Sequence, residues 1–200
     1  MKSLVTLITF FPLLLGFILA TVWWTREPND FEPLLTALGL LATITGIFGE
    51  RLASAIEKRR ELLRALLNEC ISNVTILSDG RFNPKLHKQG RPIVFPRLMM
   101  SVTETAIVSG VFAERKDREL FSLLHQWRHT VNEFNHRLDI TELRTFTNLS
   151  PQEIHSLYEA LQESKEFNDA LTLTKHLATV LKSKYPKGIA GSEGLSKIVL

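Results

Sequence analysis

Three histidines, His125, His129 and His136, share one face of a helix predicted over Lys116–Ile140. Imidazoles at i and i+4 have the spacing at which two side chains chelate one metal ion. The chemistry stops there. The glutamate that a helical zinc hydrolase carries after its first histidine is Gln126 here, and no fourth ligand can be named. A solvated polar face accounts for the three equally well, and neither a metal nor another cofactor is expected. The single cysteine, Cys70, allows no internal disulfide and no cysteine-based metal site. It falls at an apolar helix position, where core packing is expected rather than a reactive thiol.

Two further groupings carry polar chemistry. Thr36, Thr43 and Glu50 fall at heptad spacing. In an oligomer of membrane helices they would line a polar path with an acidic ring at its mouth. The bland alternative is that each threonine bonds its own helix backbone. The second grouping is a basic stretch: Arg81, Lys85, Lys88, Arg91 and Arg97, interleaved with Phe82, His87 and Phe95. Such a stretch suits anionic headgroups, single-stranded nucleic acid or a protein regulator, and equally a solvated connector. No P-loop, GxSxG, paired-cysteine or dinucleotide motif occurs, so no enzyme is expected.

The elements that must position these residues are set by an uneven spread of apolar residues. The chain has 200 residues, 44% of them hydrophobic, and a formal charge of +3. The apolar residues concentrate between Leu4 and Phe48. Leu4 to Trp24 is uncharged and long enough to span a hydrocarbon core of about 30 Å. Trp23 and Trp24 end it at the level of an interfacial aromatic belt. Lys2 would also serve a signal peptide, but Ile18, Leu19 and Ala20 make a poor cleavage site and a second apolar run follows at once. That run, Pro33 to Gly49, is near the lower length limit for a span. Arg26 faces Glu27, Asp30 and Glu32 in the connector, whereas Arg51, Lys58, Arg59, Arg60 and Arg64 follow the second run. The positive-inside rule therefore places both termini in the cytoplasm. Gly39, Ala42, Gly46, Gly49 and Ala53 put small residues on or beside one face of the second helix. Membrane helices associate through such faces, within the hairpin or as a homo-oligomer seam.

Nothing from Glu50 to Ser78 breaks a helix, and an apolar stripe runs from Leu52 to Leu77 until Asp79 and Gly80 end it. Gly80 to Pro96 reads as a long irregular loop. A helix is expected over Leu98–Ala113. The face Leu120, Leu123, Leu124, Trp127, Val131, Phe134 and Leu138 predicts a strong amphipathic helix. Ser150, Pro151 and Glu153 form a capping-box start, and a break is expected near Ser164. The sequence thus predicts an all-α protein: a two-helix transmembrane hairpin over residues 1–49 (spans about 4–24 and 33–49), then a cytoplasmic bundle of four to five helices over 50–187, then a flexible tail over 188–200. Asn73 and Asn148 match the glycosylation pattern but would face the cytoplasm.

In outline, the whole chain resembles the two-transmembrane effectors encoded beside bacterial anti-phage systems, including those of retrons. The hairpin Leu4 to Phe48, the short outer connector and the helical domain carry that resemblance. It implies a bacterial inner-membrane protein held silent by a partner complex, protein or ribonucleoprotein, until release lets the spans impair the membrane lipid bilayer. Under it, the face at Ala42, Gly46 and Gly49 would drive assembly, and the loop Arg81 to Arg97 would be one candidate for holding a nucleic-acid or protein regulator. The alternative is a non-toxic membrane-tethered adaptor whose helical domain binds a protein partner.

Overall fold

The computed structural model describes residues 2–26, 32–87 and 90–189. These residues are all helical or irregular, and no strand occurs among them. The long helices are α1 (Lys2–Arg26) and α2 (Glu32–Leu77), the latter 46 residues without a break. They are followed by α3 (Ser101–Val108), α4 (Arg118–Thr145), α5 (Pro151–Gln162), α6 (Lys165–Lys184) and the single-turn α7 (Pro186–Ile189). The chain divides into two compact units, Met1–Glu57 and Lys58–Leu200. The tail expected over 188–200 lies, beyond Ile189, outside the described residues.

In the first unit, apolar side chains point outward along both helices. Leu14, Leu19 and Trp23 on α1 and Leu35, Leu40 and Ile47 on α2 are all exposed. Among the described residues one helix is long and apolar enough to cross a membrane, α2 from Leu35 onward. The described apolar part of α1, Leu14–Arg26, is shorter. Leu52 and Ile56, which open the apolar stripe beyond the second run, are 64% and 45% exposed.

The second unit is a helical bundle with one continuous core. The stripe on α2 enters it at Leu63 and continues through Leu66, Leu67, Cys70 and Leu77. The predicted face of α4 is buried at every named position, Leu120 through Leu138. Trp127 is fully enclosed, and its indole N–H donates to Thr174 Oγ1 on α6 at 3.0 Å. That bond satisfies the one polar atom such a large buried ring carries. Ser150 and Glu153 form the expected capping box at the start of α5, and Ser164 caps α6 by accepting from the Phe167 N–H. The break near Ser164 thus separates two helices.

The segment between α2 and α3 departs from the expectation. Residues 79–87 form two 3₁₀ turns, Gly80–Phe82 and Pro84–Leu86, capped by Asp79 and Asn83. Residues 91–100 then run without helix, and α3 begins only at Ser101. The helix expected from Leu98 is therefore shorter at its start. It is shorter at its end as well, where Gly110 takes a positive φ of 63°. Proline pushes the residue before it out of the helical region, and Pro92 and Pro96 act that way here. Phe82, Phe95 and Leu98 from this segment are buried among α4, α5 and α6 side chains, with Phe82 and Phe95 stacked at 5.1 Å. The segment is part of the core rather than a loop over it.

Gly90 opens the segment with φ 55°, and a Cβ there would lie 2.1 Å from the Pro151 carbonyl oxygen at the start of α5. Both the backbone angle and the close approach require glycine. Gly90→Ala is expected to destabilise the protein by about 2 kcal/mol or more. Chemical denaturation of the detergent-solubilised chain checks this, and an unchanged midpoint would contradict the account.

Candidate functional site

Three places could carry function: the open face of α2, the extended segment with its basic residues, and the point where Arg59 of α2 meets the start of α4.

On α2, Gly39, Ala42, Gly46, Gly49 and Ala53 are all exposed. A Cβ built on Gly39, Gly46 or Gly49 would meet nothing within 4 Å. The small-residue face is therefore unoccupied by the chain's own described residues. Thr36 donates to the Glu32 carbonyl and Thr43 to the Gly39 carbonyl, each at 2.9 Å, and Thr45 donates to the Leu41 carbonyl. Each hydroxyl is satisfied along its own helix, as threonine in an apolar helix commonly is. Glu50 is exposed. Within the first unit a cleft of about 570 Å³ has Gly16, Ala20 and Trp23 of α1 and Thr36, Ala37 and Leu40 of α2 among its lining.

The extended segment is tied down by side chains. The Asn73 carboxamide on α2 accepts from the Met99 N–H at 2.8 Å and donates to the Met99 carbonyl at 2.7 Å. Asn135 on α4 does the same for Leu98, at 3.0 and 3.1 Å. Glu142 accepts from the Phe95 N–H at 2.6 Å. The Tyr158 hydroxyl on α5 accepts from the Ile93 N–H and donates to the Arg91 carbonyl, both at 2.9 Å. Each bond gives a backbone group the partner that a sheet would otherwise provide. At the far end the buried Glu69 carboxylate accepts from the Val102 and Thr103 N–H groups and from the Thr103 hydroxyl, capping α3 from α2.

The basic residues of this segment divide accordingly. Arg97 is held by Glu142 at 2.7 and 2.8 Å and by Asp139 at 2.6 Å. Its guanidinium depresses the Glu142 carboxyl below the usual range, helped by the Phe95 N–H. Arg81 is paired with Asp79 through Nε and Nη2, each at 3.0 Å, which lowers the Asp79 carboxyl to about 2. Both arginines are thus engaged inside the chain. Lys85 and Arg91 are exposed and open, and Lys88 lies outside the described residues.

The histidines are not brought together. His125 meets the edge of Phe121 at 4.7 Å, His129 pairs with Glu133 at 3.3 Å, and His136 lines a cleft beside Glu133. Among the described residues no group of three metal-ligating side chains occurs.

The third place was not visible in the sequence. Arg59 of α2 donates to Asp117 Oδ1 at 2.7 Å, and the Tyr185 hydroxyl donates to the same oxygen at 2.9 Å. The Arg59 guanidinium lies over the Phe112 ring at 5.7 Å and the Tyr185 ring at 5.9 Å. Asp117 is 1% exposed and Arg59 22%. Burial, with the Asp117 carboxylate beside it, pushes the Tyr185 phenol up to about 12. Arg59 sits between Lys58 and Arg60, and nothing in that basic triplet distinguishes the one that turns inward. Asp117, before Arg118 and Glu119, likewise reads as an ordinary helix-start acid.

No protein-family model, curated protein or solved structure matches the chain. The functional reading therefore rests on its residues and their geometry.

Two outcomes follow from these pairs. Arg59→Met strands a buried carboxylate, and a stability loss of about 2–3 kcal/mol is expected. Adding Asp117→Leu should recover much of it, and a double-mutant cycle by denaturation that finds simple additivity would refute the coupling. Glu142 has its carboxyl depressed in the fold, so its contribution is complete above the ordinary carboxylate value of about 4.3 and is lost as pH falls through the lower folded value. Glu142→Gln should lower stability at pH 7 and flatten the acid limb of a stability-against-pH curve; an unaltered limb would count against the assignment.

Proposed function

We propose that the protein is a membrane-embedded effector of bacterial anti-phage defence. In this reading α1 and the first part of α2 form a two-span hairpin in the inner membrane, with both termini cytoplasmic. The helical domain is held by a partner complex, and release lets the spans assemble and impair the membrane. The supporting observation is the open small-residue face of α2. Its glycines meet no neighbour among the described residues, and exposed Leu35, Leu40 and Ile47 on the same helix call for a lipid or protein covering. The architectural resemblance to retron-type and related effectors points the same way. The reading assigns neither catalysis nor a cofactor. Homo-oligomerisation through Gly39, Ala42, Gly46, Gly49 and Ala53 is part of the proposal. Thr36, Thr43 and Glu50 take the inner side of such an assembly. Lys85 and Arg91 are the open cations left to meet a protein or nucleic-acid regulator.

An adaptor without toxicity is the second reading. It is favoured by Val94, Leu143 and Phe146, which are exposed on the helical domain and suit a protein partner.

Induced expression of the chain in bacteria, with membrane potential and propidium entry followed beside growth, separates the two. The effector reading expects depolarisation before growth arrest, and expects Gly46→Leu to abolish it at equal expression. Replacing residues 1–49 by an unrelated anchor should also abolish it. Retained function after that exchange would establish the adaptor instead.

A further inference from the structure

On the outer edge of the α4–α6 packing lies a half-open cleft of about 360 Å³, a size that suits a small ligand. α4 contributes Glu133, His136, Arg137 and Ile140, and the first turns of α6 contribute Lys165, Glu166 and Asp169. The two sides carry charges of both signs that do not pair with one another. Arg137, Lys165, Glu166 and Asp169 have no ion-pair partner among the described residues, and Glu133 is engaged only by His129 on its own helix. The Nε of Arg137 is buried and has no hydrogen-bond partner among the described residues. That N–H is closed to solvent, so it is the rest of the Arg137 guanidinium that is left to meet a ligand in the cleft.

The charges select the ligand. Arg137 and Lys165 stand beside Glu133, Glu166 and Asp169, with His136 also on the lining, so a phosphate dianion would face three carboxylates. Among the described residues no three metal-ligating groups converge, so a bare metal ion has no cage. A planar guanidinium binds a carboxylate through two parallel N–H donors. A carboxylate at Asp169 or Glu166 then meets a cationic nitrogen, and Ile140 offers an apolar edge.

We propose that the cleft between α4 and α6 binds a small zwitterion carrying one carboxylate and one ammonium, the charge pattern of a free amino acid. Its carboxylate lies on Arg137 and Lys165, and its ammonium on the acids of α6. Ligand held there bridges two helices of the core, so its occupancy stabilises the α4–α6 packing by mass action. The inference is independent of the membrane-effector reading, because it concerns the helical domain alone.

Isothermal titration of the full chain in detergent tests it, with glycine, leucine and glutamine as probes and acetate and methylamine as single-charge controls. At least one amino acid should bind at one site, with both controls weaker by about tenfold or more. Arg137→Met and Asp169→Asn should each weaken that binding about tenfold or more. Asp169 is exposed, so its variant keeps the test intact should Arg137→Met fail to fold. Binding by none of the three amino acids, equal binding of acetate, or unchanged affinity in Asp169→Asn would overturn the proposal.

Discussion

A chain that runs extended through a helical core must find hydrogen-bond partners for its backbone, and here no strand among the described residues supplies them. Each buried N–H or carbonyl left without one costs about 1–3 kcal/mol. Residues 91–100 meet this demand with side chains: Asn73 from α2, Asn135 and Glu142 from α4, and Tyr158 from α5. The three helices that surround the segment are thereby fixed against one shared ligand, their own connector. A carboxamide suits the task because it donates and accepts at once, matching the N–H and carbonyl of a single residue. Pro92 and Pro96 reduce the demand by removing two donors outright. Phe95 and Leu98 then enter the core between the bonded positions.

The same constraint decides what the basic residues can do. Arg97 is committed to Glu142, whose carboxylate also receives the Phe95 N–H. Arg97 therefore steadies the group that holds the segment, and its charge is largely spent inside the fold. Arg81 closes on Asp79 and reaches the Val94 carbonyl. A row of cations that reads as one patch thus separates into structural pairs and the open cations Lys85 and Arg91.

What the sequence made legible follows from the range of the interactions. The face of α4, the capping box at Ser150 and the break near Ser164 are local, written in residues three or four apart. The apolar stripe of α2 gave its burial from Leu63 to Leu77. Leu98, Met99 and Met100 continue an apolar pattern, so the sequence alone points to an earlier start for α3 than Ser101. The forces that keep them extended come from Asn135 and Asn73, far away in the chain. Asn73 carried a partial signal, since a polar residue in line with Leu66, Cys70 and Leu77 must bond something inside the core. Arg59 and Asp117 carried none, because each sits among like residues that face solvent. The histidine spacing on α4 is real, but among the described residues no three metal ligands converge there.

Arg59 also explains why a polar pair occurs where an apolar one would pack as well. Buried ion pairs seldom add net stability over a hydrophobic replacement. Their advantage is direction. Two leucines facing each other tolerate sliding along the helix, whereas a guanidinium bonded to one carboxylate oxygen between two aromatic rings does not. At this site α2 is fixed in rotation and in height against the turn before α4 and the end of α6. Tyr185 completes the constraint by donating to the same oxygen, and its phenol stays protonated across the physiological range. Within this unit the register of α2 is thus held at Arg59 as well as at Glu69 and Asn73, three points on one helix whose span from Glu32 to Leu77 is unbroken.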